Sequence, residues 1–170
     1  CDGVKECSLA KFRQQLQALM NLTKNPDCCL AMSKNSEFML GVTSHLTSTD
    51  ACTTYLSWKF FKILVKYPKV IDNIHASESI RSSISEIARS RSVFALRKLL
   101  NFSRRIWEDS KDPKFPKQPS AIQEKWAEII KPSIGTIASK NISRKQLYKK
   151  DIKTQTSLEE FIKSIVNSRS

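Results

Sequence analysis

The residues best suited to chemistry are two histidines and two pairs of neighbouring acidic residues, and neither set is spaced as an active site requires. His45 lies in Ser-His-Leu-Thr between predicted helices, and His75 lies in Ile-His-Ala-Ser at a predicted helix end. The acidic pairs at 108–109 and 159–160 are adjacent, so on a helix their side chains diverge by about 100°. The sequence contains no HExxH, GxSxG, P-loop or glycine-rich dinucleotide motif. We therefore expect no catalytic residue and no cofactor, and predict that the chain is not an enzyme.

The cysteines do not form a metal-binding pattern either. They show no CxxC spacing, and the two histidines do not stand at zinc-ligand spacing from them. We interpret most of them as small apolar core residues in a reducing compartment. Because Cys28 and Cys29 are neighbours on a predicted helix, one should be buried and one should lie at the boundary. No metal site is expected from the cysteines, which are Cys1, Cys7, Cys28, Cys29 and Cys52.

The sequence favours an intracellular location. No apolar run approaches the roughly 18 residues of a membrane span, and no signal peptide is visible. We expect a cytoplasmic or nuclear protein. A secreted, disulfide-bonded helical bundle stays open as an alternative, because Asn-x-Ser/Thr triplets begin at Asn21, Asn101 and Asn141.

Length and composition limit the fold and the partners. The chain has 170 residues, enough for a single hydrophobic core, and only 3 glycines. Scarce glycine argues against a β-sandwich, a Rossmann domain and a P-loop, which need positive φ angles or close phosphate approach. Lys and Arg number 29 against 16 Asp and Glu, a formal charge of +13. This charge predicts attraction to acidic partners.

The chain repeats its pattern every 42 residues. Leu16, Trp58 and Leu100 align under this shift, as do Pro26 and Pro68. A period of about 40 to 47 residues is typical of helical solenoids. Each copy reads as a long amphipathic helix, a proline-marked corner and shorter helices. The long helices are predicted over 9–23, from about 51 to 66 and from 92 to 108, with short helices over 27–33, 37–46, 70–74 and 77–89.

Two segments carry a resemblance to a known family. Leu-Met-Asn-Leu-Thr-Lys-Asn-Pro at 19–26 and Phe-Phe-Lys-Ile-Leu-Val-Lys-Tyr-Pro at 60–68, each followed by a short apolar helix, resemble the joint between armadillo repeats. The resemblance covers about residues 9–108. It implies an all-α, right-handed armadillo/HEAT-like solenoid of two to three repeats. Asn21 matches the groove asparagine of the family, whereas the later copies have Ile63 and Arg105 there.

The sequence predicts three segments. Residues 1–110 should form the repeats, and 111–119, with three prolines in KDPKFPKQP, should form a linker. Residues 120–170 restart as helices, with capping boxes at Ser120 and Ser157. Their apolar faces have no other obvious partner, so we expect them to pack on the last repeat as C-terminal capping helices.

The strongest candidate site is a basic strip across the long helices. Positions spaced by 4, 3 and 4 residues share one helix face, and the 42-residue shift relates the three sets. Stacked helices would place them on the concave face. The candidate binding residues are Arg13, Gln17, Asn21, Lys24, Tyr55, Lys59, Lys62, Lys66, Arg97, Asn101 and Arg104.

A second basic cluster lies near the C-terminus, and either cluster can also be read simply as a solvated face. We expect a non-catalytic interaction or scaffold module whose basic surface binds an acidic segment of a partner protein. A nucleic-acid-binding or anionic-lipid-binding helical domain is the alternative. The second cluster comprises Arg144, Lys145, Lys149, Lys150 and Lys153.

Overall fold

The described part of the protein is entirely helical, which confirms the all-α prediction there. The computed structural model describes residues 2–90, 93–108 and 121–139, with side chains over 8–87, 89–90, 94–99, 101–103 and 121–133. These residues form α1 (Asp2–Met20), α2 (Pro26–Lys34), α3 (Ser36–Ser44), α4 (Ala51–Leu64), α5 (Pro68–Ala76), α6 (Glu78–Arg89), α7 (Val93–Glu108) and α8 (Ala121–Ser139). Short 3-10 turns follow α1 at Asn21–Lys24 and α3 at His45–Thr47.

The chain divides into two compact units, residues 1–83 and 84–170. The division falls inside α6, so the first unit holds α1 to α5 and the first half of α6. The second unit holds the rest of α6, α7 and α8. The predicted linker at 111–119 and the predicted helix after Ser157 lie outside the described residues.

In the first unit, helices that the 42-residue shift equates contact one another. α1 packs on α4 and α2 packs on α5. Each pair, and the pair α3 and α6, is joined by one hydrogen bond between side chains 40 residues apart. These bonds are Arg13 Nη1 to Thr53 Oγ1 at 3.3 Å, Asn73 Nδ2 to Ser33 Oγ at 2.8 Å, and Thr43 Oγ1 with Ser83 Oγ at 2.7 Å.

The corners of the two copies are built from the same residue types. Pro26 and Pro68 occupy the first turns of α2 and α5, where their lack of an N–H leaves no bond unmade. Asn35 caps α3 by accepting from the amide of Phe38 at 3.1 Å. Ser77 does the same for α6 through the amide of Ile80 at 3.4 Å. These caps stop each short helix and fix the direction of the next.

The core of the first unit lies between the long and the short helices. Trp58 of α4 donates its indole N–H to the carbonyl of Leu46 at 3.0 Å, so its polar group is satisfied inside the core. Phe38 of α3 meets Phe60 edge to face at 5.6 Å between ring centroids. The side chains buried around them include Leu16, Cys29, Met39, Val42, Phe61, Leu64, Val70, Ile71, Ile74 and Ile80.

In the described part of the second unit, α8 contacts α7. Trp126 packs edge to face on Phe102 at 5.3 Å and donates its indole N–H to the Ser103 hydroxyl at 2.9 Å. Ile129 and Ile130 are buried beside it on α8. α8 therefore contacts α7, and the prediction that residues 120–170 cap a stack of repeats stays a prediction.

Two long helices end earlier than predicted. α1 ends at Met20 instead of Thr23, and α4 ends at Leu64 instead of about Lys66. In both, hydrogen bonds between residues three apart tighten the chain ahead of the proline, as in Asn25 N to Leu22 O at 3.1 Å. Leu22 therefore lies in the 3-10 turn after α1, where it is 46% exposed.

Candidate functional site

α4 separates a buried side from a basic exposed side. Thr53, Ser57, Trp58, Phe60, Phe61 and Leu64 are buried. On the other side Tyr55 is 63% exposed, Lys59 is exposed and Lys62 is half-buried. Lys66 is exposed in the turn after the helix. We call Tyr55, Lys59, Lys62 and Lys66 the lysine face.

The lysine face lies in a segment of the sequence that has no acidic residues. Residues 51–71 contain four lysines and no acidic residue. Among the residues that the structure describes, no carboxylate lies within ion-pairing distance of Lys59 or Lys66. Ammonium groups placed together on one surface produce a positive potential that attracts an acidic ligand.

Arg13, a predicted member of the basic strip, is engaged within the protein. Its Nη1 atom lies 2.7 Å from Oδ2 of Asp50, which precedes α4. The Asp50 carboxylate also accepts hydrogen bonds from the hydroxyl and the amide of Thr53. These two bonds, and then Arg13, hold the pKa of Asp50 below its ordinary value. Arg13 therefore joins α1 to α4.

The other predicted residues of α1 lie at its exposed side or beyond its end. Gln17 is exposed on the helix. Asn21 and Lys24 are exposed, but the early end of α1 puts them in the 3-10 turn and not on the long helix as predicted. The groove asparagine that the armadillo resemblance implies is therefore on a turn in this chain.

The remaining predicted residues divide between the second unit and the undescribed parts of the chain. Arg97 and Asn101 are half-buried on α7. The side chain of Arg104 and the whole second basic cluster, Arg144, Lys145, Lys149, Lys150 and Lys153, lie outside the described residues. A strip continuous across all three long helices stays a prediction.

One pair on α7, the exposed Phe94 and the half-buried Lys98, was not predicted from the sequence. Phe94 is 50% exposed, and Nζ of Lys98 lies 5.4 Å from its ring centroid. Phe94 and Lys98 are four residues apart, so the helical period places them on the same side of α7. This spacing was the signal that would have revealed the pair.

His45 and Cys29 are engaged in contacts within the first unit. His45 stacks on Phe12 at 4.1 Å, and its Nδ1 atom donates to the carbonyl of Gly41 at 2.6 Å, which caps α3. Cys29 is buried and Cys28 half-buried, as predicted, and burial raises the pKa of the Cys29 thiol. Cys52 is exposed, so it is not one of the core cysteines. It sits on the solvent side of the first turn of α4. All three thiols are free.

Two kinds of feature are absent from the described residues. No three His, Cys, Asp or Glu side chains among them are grouped as metal ligands. None of the helices described is both long and apolar enough to cross a membrane.

Comparison with known proteins does not assign the chain to a family. No family model, no characterised protein and no solved structure matches it.

Proposed function

We propose that the first unit is a non-catalytic interaction module whose lysine face binds an acidic segment of a partner protein. The observation that carries the proposal is that Lys59 and Lys66 are exposed with no carboxylate within ion-pairing distance among the described residues, on the side of α4 opposite the buried Trp58, Phe61 and Leu64. A carboxylate-rich segment is the ligand whose charge complements this surface. The exposed ring of Tyr55 adds an apolar contact and a hydroxyl at one end.

We further propose that the helices stack as an armadillo/HEAT-like solenoid, which would make the lysine face part of a concave surface. The support is the register of the first unit, in which three pairs of equivalent helices are joined at the same 40-residue separation. Solenoids bind ligands along such stacked faces. In this arrangement Gln17 and Lys24 would extend the lysine face on the side of α1.

The test is a binding titration with a defined probe. A fluorescent peptide of alternating Glu and Ser is added to the full chain, to the K59E/K66E variant and to a control variant, K11E/K34E. Lys11 and Lys34 are also exposed but lie on α1 and at the end of α2, so the control carries the same change in net charge. We expect K59E/K66E to weaken binding about tenfold or more, and K11E/K34E to weaken it far less.

The control determines how the result is read. Equal losses in the two variants would show that only the net charge attracts the peptide, which contradicts a defined binding face. Helical content measured by circular dichroism should match wild type in both variants, because all four lysines are exposed. If a lysate partner is then isolated after nuclease treatment, its retention should follow the same order of variants.

Nucleic acid is the second candidate ligand of the same face, because Tyr55 among lysines offers a ring on which a base can stack. Only one exposed aromatic residue lies on the lysine face, whereas single-strand binding generally uses several. A single-stranded oligonucleotide of the same charge as the peptide serves as the comparison. If the chain bound the oligonucleotide more tightly than the peptide, and Tyr55→Ala abolished the difference, nucleic acid would be the ligand of this face and not an acidic protein segment.

A further inference from the structure

α7 presents a second surface, in the other unit, that combines positive charge with an exposed aromatic ring. Its inward side is buried through Ala95, Leu96, Leu99 and Phe102. The other side, which we call the α7 stripe, comprises the exposed Phe94 and the half-buried Arg97, Lys98 and Asn101. Phe94 is half exposed although Ala95 and Leu96 beside it are buried, so its ring is not fully packed in the core of this unit.

The Phe94 ring is held in place by its neighbour one turn along the helix. Nζ of Lys98 lies 5.4 Å from the ring centroid, within the range of a cation–π interaction. One face of the ring is therefore covered by an ammonium group, while half of the side chain remains in water. A nucleic-acid base needs an open ring face for stacking, whereas hydrocarbon chains contact a ring on any open side.

The charge of the helix favours an anionic surface. Residues 93–108 include Arg97, Lys98, Arg104 and Arg105 against the single acid Glu108. Helices that lie at a membrane interface combine Lys and Arg on the polar side with an apolar ring that enters the boundary between headgroups and acyl chains. The attraction to anionic lipids grows with each basic residue near the surface.

We propose that the α7 stripe docks on a membrane surface that contains anionic lipids, with Phe94 entering the interface and the basic residues contacting the headgroups. This site lies in the second unit and does not depend on the lysine face. It involves no membrane-spanning segment, since the helix remains packed through its inward side.

The experiment is co-sedimentation of the full chain with vesicles of phosphatidylcholine alone or with phosphatidylserine added. We expect binding only when phosphatidylserine is present, and a decrease with salt. F94S should weaken binding about tenfold, the loss expected when part of a phenylalanine's transfer free energy is removed. F94L should retain most of the wild-type binding to the vesicles, because leucine also enters hydrocarbon. Because Phe94 is half exposed, neither substitution should affect folding.

The matched control is Y55S, which removes an exposed aromatic residue beside lysines in the first unit. It should leave vesicle binding unchanged. Equal binding by wild type and F94S, equal loss in Y55S, or no sedimentation with phosphatidylserine at low salt would each overturn the proposal. The proposal would also be overturned if the chain bound a single-stranded oligonucleotide and F94S weakened that binding but left vesicle binding unchanged.

Discussion

The guanidinium of Arg13 in α1 lies 2.7 Å from the carboxylate of Asp50, the residue that caps α4. The same carboxylate accepts from the backbone amide of Thr53 at 2.9 Å. The Asp50 side chain thus provides a hydrogen-bond acceptor for an amide in the first turn of α4, and it also joins this helix to α1. The side chains of Arg13 and Asp50 are 24% and 33% exposed. The contribution of this ion pair to stability therefore depends more on its geometry than on burial of the two charges.

Removal of the Asp50 carboxylate should destabilise the first unit in two separable steps. D50N keeps an N-cap oxygen but loses the charge that faces Arg13, whereas D50A loses both. We expect the melting temperature to fall in the order wild type, D50N, D50A. Thermal unfolding followed by circular dichroism measures this order, and R13M should resemble D50N. A D50A variant as stable as wild type would contradict the role of the cap.

The lowered pKa of Asp50 predicts the pH dependence of this contribution. Because the carboxyl is held below its ordinary value of 3.8 in the folded state, its stabilisation is present above that value. It is lost as the pH falls through the folded pKa. The difference in free energy of unfolding between wild type and D50N should therefore shrink as the pH is lowered from about 6 to about 3. Urea titrations at several pH values measure it, and a constant difference would contradict the assignment.

Local patterns were sufficient to predict most of the helices. Pro26, Pro68 and Asn35 act within a few residues of their own positions, so their effect on the chain can be worked out without tertiary contacts. The 42-residue period also pairs the helices that contact in the first unit. The ends of the long helices were harder to predict. Each helix ends where the hydrogen bonds change from a spacing of four residues to a spacing of three, and that position depends on how the corner packs.

Side-chain roles depended on contacts that no local pattern contains. Arg13 was predicted on the binding strip because its spacing on α1 matches that of Gln17 and Lys24. Its partner Asp50 lies 37 residues away and reaches it only after α1 packs on α4. The exposure of Phe94 was overlooked for a similar reason, since exposure on a partly buried helix is decided by which neighbours cover it.

Ser57 of α4 provides a test of the core of the first unit. Its side chain is fully buried, and its hydroxyl finds no hydrogen-bond partner among the described residues. Because an unpaired buried hydroxyl is unfavourable, we expect S57A to raise the free energy of unfolding by about 1 kcal/mol. The control is S33A, which removes a buried hydroxyl that does accept a bond, from Asn73 at 2.8 Å. S33A should lower the free energy of unfolding. If S57A lowered it by as much as S33A, the Ser57 hydroxyl could not be an unpaired buried group.

The indole of Trp126 and the hydroxyl of Ser103 form the corresponding paired contact in the second unit. The Ser103 oxygen accepts from the indole N–H at 2.9 Å and donates to the carbonyl of Leu99 at 2.7 Å, and both side chains are buried. S103A leaves the indole N–H without a partner, so we expect the free energy of unfolding to fall by about 1–3 kcal/mol. S133A on α8 removes a buried hydroxyl with no partner in the described residues and should not destabilise.

A double-mutant cycle separates this hydrogen bond from the packing around it. W126F keeps an aromatic ring against Phe102 but removes the N–H donor, so S103A should cost much less in the W126F background than in wild type. Urea unfolding of the four proteins gives the coupling energy, which we expect to be about 1 kcal/mol. Additive losses would show that α8 is held on α7 by apolar packing alone.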